Sequence, residues 1–304
     1  MNNRMKIGIV GGSGFLGKNL TNYLLKNSNW DVSVISHHHK TFPVKDEYSN
    51  RVTFVEGDVL KPKSITQSIA GLDVVYYFIH MMGRKDGDMY ELEEKAANIF
   101  KQAVEKSSVK RVIFMGGLGD DADALSKHLS SRHRTGTILR SMNVDVIEFQ
   151  ASMIIGKGSV AFDIMANLVD RLPIMPLPKT SSTLTQPILL ADVLNYLYSA
   201  ATVNIKKNCI VQIGGPEQLT YEELYRAYAK ASSKKRLIIR TPFVPAWIEA
   251  QFLDLFTPTV HARIGKAMVE SLGNRMVVTS KAAESLFPHI KPHDVSSKIK
   301  SLAE

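Results

Sequence analysis

The chain of 304 residues holds a single cysteine, Cys209. No intramolecular disulfide can form, and a cytoplasmic home is expected. Cys209 lies in the apolar run NCIVQIGG and reads as an inert core residue. Long apolar runs are also missing. VVYYFIHMMG stops well short of the roughly 18 residues a membrane span needs, so integral membrane association is not expected. With an apparent strand from Lys6, a cleavable secretory segment is not expected. There is no internal repeat and no low-complexity stretch. Acidic residues are in deficit, 29 against 38 Lys and Arg, for a formal net charge of +9. The basic residues are scattered, with no aromatic-interleaved basic run, so a nucleic-acid partner is not expected. A basic surface suited to phosphate-bearing ligands is the reading kept. Hydrophobic content of 44% is ordinary for a globular protein, and the length allows one domain with a lobe, or two domains.

What the sequence does contain begins at its start. KIGIVGGSGFLGKNLTNYLLK reads as a strand, a glycine turn and a helix. Lys6 to Val10 is a short β-branched run of the buried-strand type, and Leu16, Leu20, Tyr23 and Leu24 then recur at helical spacing. Gly11, Gly14 and Gly17 stand three residues apart, as a sharp turn, a close approach to a pyrophosphate and tight helix–strand packing require. The helix start directs free N–H groups and a partial positive charge at phosphates. Gly11, Ser13, Gly14, Phe15, Leu16 and Gly17 are therefore the expected pyrophosphate contacts of a dinucleotide.

The second strand, WDVSVIS, ends in Ser36, His37 and His38 with no acidic residue. A carboxylate there would hold the ribose 2′-hydroxyl of NAD, whereas small or basic residues leave room for a 2′-phosphate, so NADP(H) is expected over NAD(H). The histidine run His37–His39 is not read as a metal site, because consecutive side chains point in divergent directions. RVTFVEGDVL supplies a third strand, placing Asp58 and Val59 at the adenine edge. LDVVYYFIH, VKRVIFMGG and VDVIEFQASMIIG supply three more, and DMYELEEKAANIFKQAVEK a helix. Strands separated by helices imply a parallel sheet covered on both faces, with ligand outside the carboxyl ends of the strands. That position selects Ile79, His80 and Gly116, beside Met115 and Gly117. The expected class is α/β, a Rossmann-type doubly wound parallel sheet.

The glycine turn GGSGFLG, the GDVL after the third strand and QPILLADVLNYL resemble the extended and atypical short-chain dehydrogenase/reductase superfamily. FMGGLGDD, SSRH, IIGKGSVAFDIM, IGGPEQLTYEEL and TPTVHARIGKAMVESL narrow the likeness to NmrA-like bacterial NAD(P)H-binding proteins and epimerase-like relatives. The resemblance runs over essentially the whole chain. It implies a small, discontinuous C-terminal substrate lobe. Residues 1–150 would form the dinucleotide-binding core, completed by a strand near 208–213, and 151–190 with 214–304 the lobe. TYEELYRAYAKAS reads as a helix opened by a capping box, with Thr220 as N-cap and Glu223 three residues on.

Reductases of this superfamily donate a proton from a tyrosine whose pKa is lowered by a lysine one helical turn away. None of the ten tyrosines here is followed four places later by lysine. Aligned on Ser131-Arg132, the tyrosine position falls on His128 and the lysine position on Arg132. Imidazole can carry a proton near neutral pH, so His128 is the candidate proton donor. Arg132 is a candidate for binding a ribose or phosphate, although a planar guanidinium does not duplicate an ammonium. The fifth strand ends in Met115-Gly116-Gly117 instead of the usual serine or threonine, and Gln150 replaces a common arginine. Two functions follow: an NADP(H)-dependent oxidoreductase or epimerase-like enzyme acting on a small molecule, or a catalytically silent NADP(H)-binding sensor, regulator or assembly protein. Trp247, Ile248, Phe252, Leu253 and Phe256 would form a broad apolar helix side, expected to pack on the lobe or on a partner in a homodimer or other protein complex.

Overall fold

The computed structural model describes residues 4–38, 40–81, 88–120, 123–241 and 271–303. His39 and the apolar segment around Trp247–Phe256 lie outside the described residues. Seven strands form one parallel sheet: β1 (Lys6–Val10), β2 (Asp31–Ser36), β3 (Val52–Glu56), β4 (Val74–Tyr77), β5 (Arg111–Gly117), β6 (Asp145–Ala151) and β11 (Cys209–Ile213). Their order is β11-β6-β5-β4-β1-β2-β3, every neighbouring pair parallel. The order reverses between β1 and β4, and the crevice outside their carboxyl ends is where such sheets take ligands.

The strands are apolar on both faces because both faces are covered. Ile7, Ile9, Val34, Val74, Tyr76, Ile113 and Phe149 pack on one face with Leu20, Leu24 and Leu25 of α1 (Phe15–Asn27) and with Val193 and Leu197 of α6 (Leu190–Ala200). Val10, Ile35, Val75, Tyr77, Val112 and Phe114 pack on the other. There they meet α2 (Pro62–Ser68), α3 (Met89–Glu105) and α4 (Lys127–Arg140) through Ile65, Phe100 and Leu139. The alternation of Val74/Tyr76 with Val75/Tyr77 is the two-residue strand period at work. Each fully buried aromatic or aliphatic side chain contributes about 1.5–3 kcal/mol.

A second apolar cluster joins α5 (Val160–Arg171), β8 (Ile174–Pro178), α7 (Tyr221–Ala231) and α9 (Val295–Ala303) through Phe162, Met165, Val169, Leu224, Tyr228 and Val295. β13 (Leu237–Thr241) pairs with β8 beside it, and two-residue strands pair as β7 (Ile154–Ile155) with β10 (Ile188–Leu189) and β9 (Leu184–Thr185) with β12 (Leu219–Thr220). The capping box at α7 forms in full: Thr220 Oγ1 accepts from Glu223 N, and Glu223 accepts from Thr220 N at 2.7 Å. Residues 283–290 depart from the expected division of the chain. Ala283, Phe287 and Ile290, on and after α8 (Ala282–Leu286), belong to the core of the large sheet, where the Phe287 ring lies 5.8 Å from Phe149. Just beyond, buried Asp192 on α6 accepts from His293 N and Nδ1 at 2.9 and 2.8 Å, pinning the final segment to the sheet side. Cys209 is only half-buried, on the outermost strand, where partial burial raises its thiol pKa.

Candidate functional site

The glycine turn has three positions closed by protein and one open. A Cβ on Gly17 would fall 2.5 Å from Gly12 Cα and 2.6 Å from Gly12 O. One on Gly11, whose φ is +83°, would fall 2.9 Å from Phe78 O, and one on Gly12 2.8 Å from Ile9 O. Exposed Gly14 differs. Its Cβ would meet only Gly11 O, at 3.2 Å, and its φ of −76° suits any residue. The turn's own N–H groups are spent internally, those of Gly11 and Gly12 on Ile35 O and that of Gly14 on Gly11 O. The first helical N–H groups, on Phe15, Leu16 and Gly17, precede the first helical bond, from Lys18 N to Gly14 O. Gly14 offers no capping side chain and the first turn has no acidic residue, so these donors and the positive end of the helix stay open to an anion. Gly158 and Gly156, in the segment between β6 and α5, approach Phe15, their Cβ positions 3.4 and 3.6 Å from its ring.

At the end of β2, buried Ser36 donates its hydroxyl to His38 O at 2.6 Å, and the His37 and His38 rings lie 4.0 Å apart at the exposed edge. No carboxylate stands on β2 here, but exposed Glu56 on edge strand β3 is in register with Ser36. Asp58 is largely committed to its own turn. Its Oδ1 accepts from Leu60 N at 2.9 Å, and Oδ2 lies 3.7 Å from Lys61 Nζ. Val59 is buried in the core.

Beyond the ends of β4 and β5, α3 and α4 bring together a cluster that spacing alone did not reveal. Glu93, on the buried face of α3 and 3% exposed, accepts at Oε1 from Met81 N at 3.0 Å and from His80 Nδ1 at 2.7 Å. At Oε2 it accepts from Ser131 Oγ at 2.5 Å. Arg132 Nη1 stands 3.9 Å from Oε1. Burial alone would raise the Glu93 pKa, but the His80 bond, the charges of His80 and Arg132 and the Ser131 bond together hold it well below the usual carboxylate range.

Arg132 is held by backbone acceptors. Buried to 6% exposure over the Phe114 ring, it donates to Ile79 O at 2.9 Å and to Met115 O. The guanidinium thus ties the ends of β4 and β5 together. His128 lies one helical turn earlier, its ring stacked 5.0 Å from that of His80 at an interplanar angle of 6°. Burial, then the neighbouring His80 and Arg132, push the His128 imidazole down to about 3. Gly116 sits within β5, where a Cβ would lie 3.0 Å from buried Glu148 Oε1. Glu148 also accepts from Gln150 Nε2 at 2.9 Å and pairs with Arg140, so Gln150 completes an internal network on β6. A shallow depression lined by Val109, Met142, Asp145 and Asn208 lies at the opposite, amino-terminal edge of the sheet, away from this cluster.

Residues 11–144, from the glycine turn to just before β6, match the family model described as NAD(P)H-binding. This part of the chain is similar to NAD(P)H-binding domains. The fold of nearly the whole chain is shared with solved structures. A nucleoside-diphosphate-sugar epimerase from Staphylococcus aureus superposes with a TM-score of 0.74 at 17% identity, over 97% of this chain and 100% of the other. A triphenylmethane reductase from Citrobacter sp., complexed with NADP(H), gives 0.76 at 15% identity, over 98% and 100%. UDP-glucose 4-epimerase from Thermotoga maritima, with UDP-glucose, gives 0.70 at 14% identity, over 98% and 97%. Among curated sequences the chain is similar to uncharacterized proteins of Mycobacterium tuberculosis and Mycobacterium bovis. Identity is 22%, covering 86% of this chain and 31% of the relative. The chain thus spans about a third of the length of the curated relatives it matches. No described helix is long and apolar enough to cross a membrane.

Proposed function

We propose that the protein is an NADP(H)-dependent oxidoreductase or epimerase-like enzyme acting on a small carbonyl or alcohol. The observation that carries this reading is the start of α1: an uncapped helix terminus behind a glycine turn in which exposed Gly14 is the position least closed off by protein. That arrangement fits a pyrophosphate. The N–H groups of Phe15, Leu16 and Gly17 would bind it, and Ser13 and Gly14 would let it approach. Ser36, His37 and His38 would receive the adenosine ribose, and the lack of a carboxylate at the carboxyl end of β2 favours a 2′-phosphate. Val59 and the Asp58 backbone would border the adenine, and Ile79, His80 and Gly116 the nicotinamide end. Bound there, the nicotinamide supplies or takes up a hydride. The lobe of residues 151–190 and 214–304, less the part that packs on the sheet, would close over the substrate.

Titration of the folded chain with NADPH and NADH tests this reading. It predicts saturable binding of one NADPH per chain, tighter than NADH, and loss of both on Gly14→Val. Equal or tighter binding of NADH would overturn the preference. Retained affinity in folded Gly14→Val would overturn the site. A second reading, a catalytically silent NADP(H)-binding sensor or assembly protein, draws on one observation: Arg132, at the lysine position, is spent on the backbone carbonyls of Ile79 and Met115. On that reading NADPH binds equally well and no hydride transfer follows.

A further inference from the structure

The helix spacing singles out His128, yet the histidine built for proton transfer is another. We propose that His80, oriented by Glu93, is the proton-transferring residue of this site. This rests on the oxidoreductase reading above.

The orientation of His80 is fixed from behind. Glu93 Oε1 lies 2.7 Å from His80 Nδ1. An ionised carboxylate can only accept, so Nδ1 carries the proton and Nε2 is left with a lone pair. Glu93 is itself held by Met81 N and Ser131 Oγ and neutralised by Arg132, so the acceptor cannot swing away. The His80 side chain keeps 35% of its surface exposed, against 3% for Glu93. It stands three residues after the end of β4, and Phe78 in the same segment abuts Gly11 of the glycine turn. His80 therefore stands at the carboxyl end of β4, on the crevice side of the sheet, beside the expected cofactor. His128 has neither feature. No carboxylate orients it among the described residues, and its contact is the face of the His80 ring.

In the oxidising direction Nε2 of neutral His80 takes the proton of a substrate hydroxyl. The O–H bonding pair becomes the second carbon–oxygen bond, and hydride leaves that carbon for oxidised nicotinamide. The products are a carbonyl, reduced nicotinamide and an imidazolium paired with Glu93, which stays ionised. Reduction of a carbonyl is the reverse, with imidazolium giving up its Nε2 proton. Glu93 is a positioning residue that also stabilises the imidazolium. Among the described residues, the charged and titratable groups that act on His80 are Glu93 from α3 and His128 and Arg132 from α4. Burial and Arg132 favour the neutral ring, and Glu93 opposes them.

The test has two arms. In the whole chain labelled with ¹⁵N-histidine, the expected His80 spectrum at pH 7 shows a protonated Nδ1 and a bare Nε2, with the Nδ1 proton shifted downfield by its bond to Glu93. A ring protonated at Nε2 alone would overturn the proposal without any assay of activity. In the second arm, NADP⁺ and NADPH are offered with a panel of alcohols, aldehydes, ketones and nucleotide sugars. His80→Gln should lower turnover about 10²–10⁴-fold while changing NADPH affinity less than about threefold. Glu93→Gln should move the acid limb of the oxidation profile to lower pH, because loss of the carboxylate lowers the His80 pKa. A merely structural Glu93 would leave that limb in place. Turnover that survives His80→Gln and is lost on His128→Gln overturns the assignment and leaves the enzyme reading intact. NADPH binding with no turnover anywhere in the panel overturns both.

Discussion

Replacing Glu93 by alanine should be among the most destabilising single changes in the chain. The carboxylate is 3% exposed and receives Met81 N, His80 Nδ1 and Ser131 Oγ, with Arg132 at 3.9 Å. Glu93→Ala strands two buried donors and leaves a guanidinium of 6% exposure without its counter-charge. Removing one partner of a buried charged network costs about 3–5 kcal/mol. At about 2–4 °C per kcal/mol for a chain of this order of size, the melting temperature should fall by roughly 6–20 °C. Glu93→Gln keeps the size and one acceptor oxygen and should cost less, about 1–2 kcal/mol. Urea unfolding followed by circular dichroism at pH 7 measures both.

The pH dependence has a fixed sign. The folded Glu93 pKa is depressed from its ordinary value of 4.5, so its stabilisation is full above that value and lost as pH falls below it. The gap between the parent protein and Glu93→Gln should therefore narrow in acid. A cost for Glu93→Ala below about 1 kcal/mol would refute the claim that this carboxylate anchors the ends of β4 and β5.

The glycines should separate fold from binding. Gly17→Ala, whose Cβ meets backbone at 2.5–2.7 Å, should cost about 1–3 kcal/mol, whereas Gly14→Ala should unfold like the parent and bind NADPH more weakly in calorimetry. His38→Asp places a carboxylate at the exposed end of β2 and should reduce the preference for NADPH over NADH by about tenfold or more, equivalent to about 1.4 kcal/mol; an unchanged ratio of dissociation constants would show that the 2′-phosphate lies elsewhere. His128, pushed down to about 3 from 6.5, contributes stability that is present above pH 6.5 and lost as pH falls toward 3. Chemical unfolding between pH 4 and 7 should accordingly show a shallower pH slope for His128→Leu than for the parent protein.

The sheet was legible because its strands are short, apolar and separated by helices. Each of the seven strands of the large sheet lies within a stretch read as a strand, and the glycine turn stands between β1 and α1. The capping box at Thr220 and Glu223 was equally plain, since both partners are local in sequence. Tertiary pairing was harder to see. The spacing of His128 and Arg132 drew attention to α4, but nothing local announced that Arg132 would donate to Ile79 O and Met115 O. Glu93 did leave a signal. It is a carboxylate on the helix face that carries Ala96, Ala97, Phe100 and Val104, and an acidic group on such a face needs buried partners. The return of Phe287 and Ile290 to the large sheet left no comparable trace, because apolar residues do not state which core they join.

The central claim is that an NADP(H) pyrophosphate sits at the uncapped start of α1. Isothermal titration of the folded chain with NADPH, run beside Gly14→Val and Gly14→Ala, tests it most directly. The account predicts saturable heat with one NADPH per chain for the parent protein, weaker binding for Gly14→Ala, and none for Gly14→Val at matched stability. Gly14→Val binding NADPH as tightly as the parent, or a folded parent giving only heat of dilution, would contradict it.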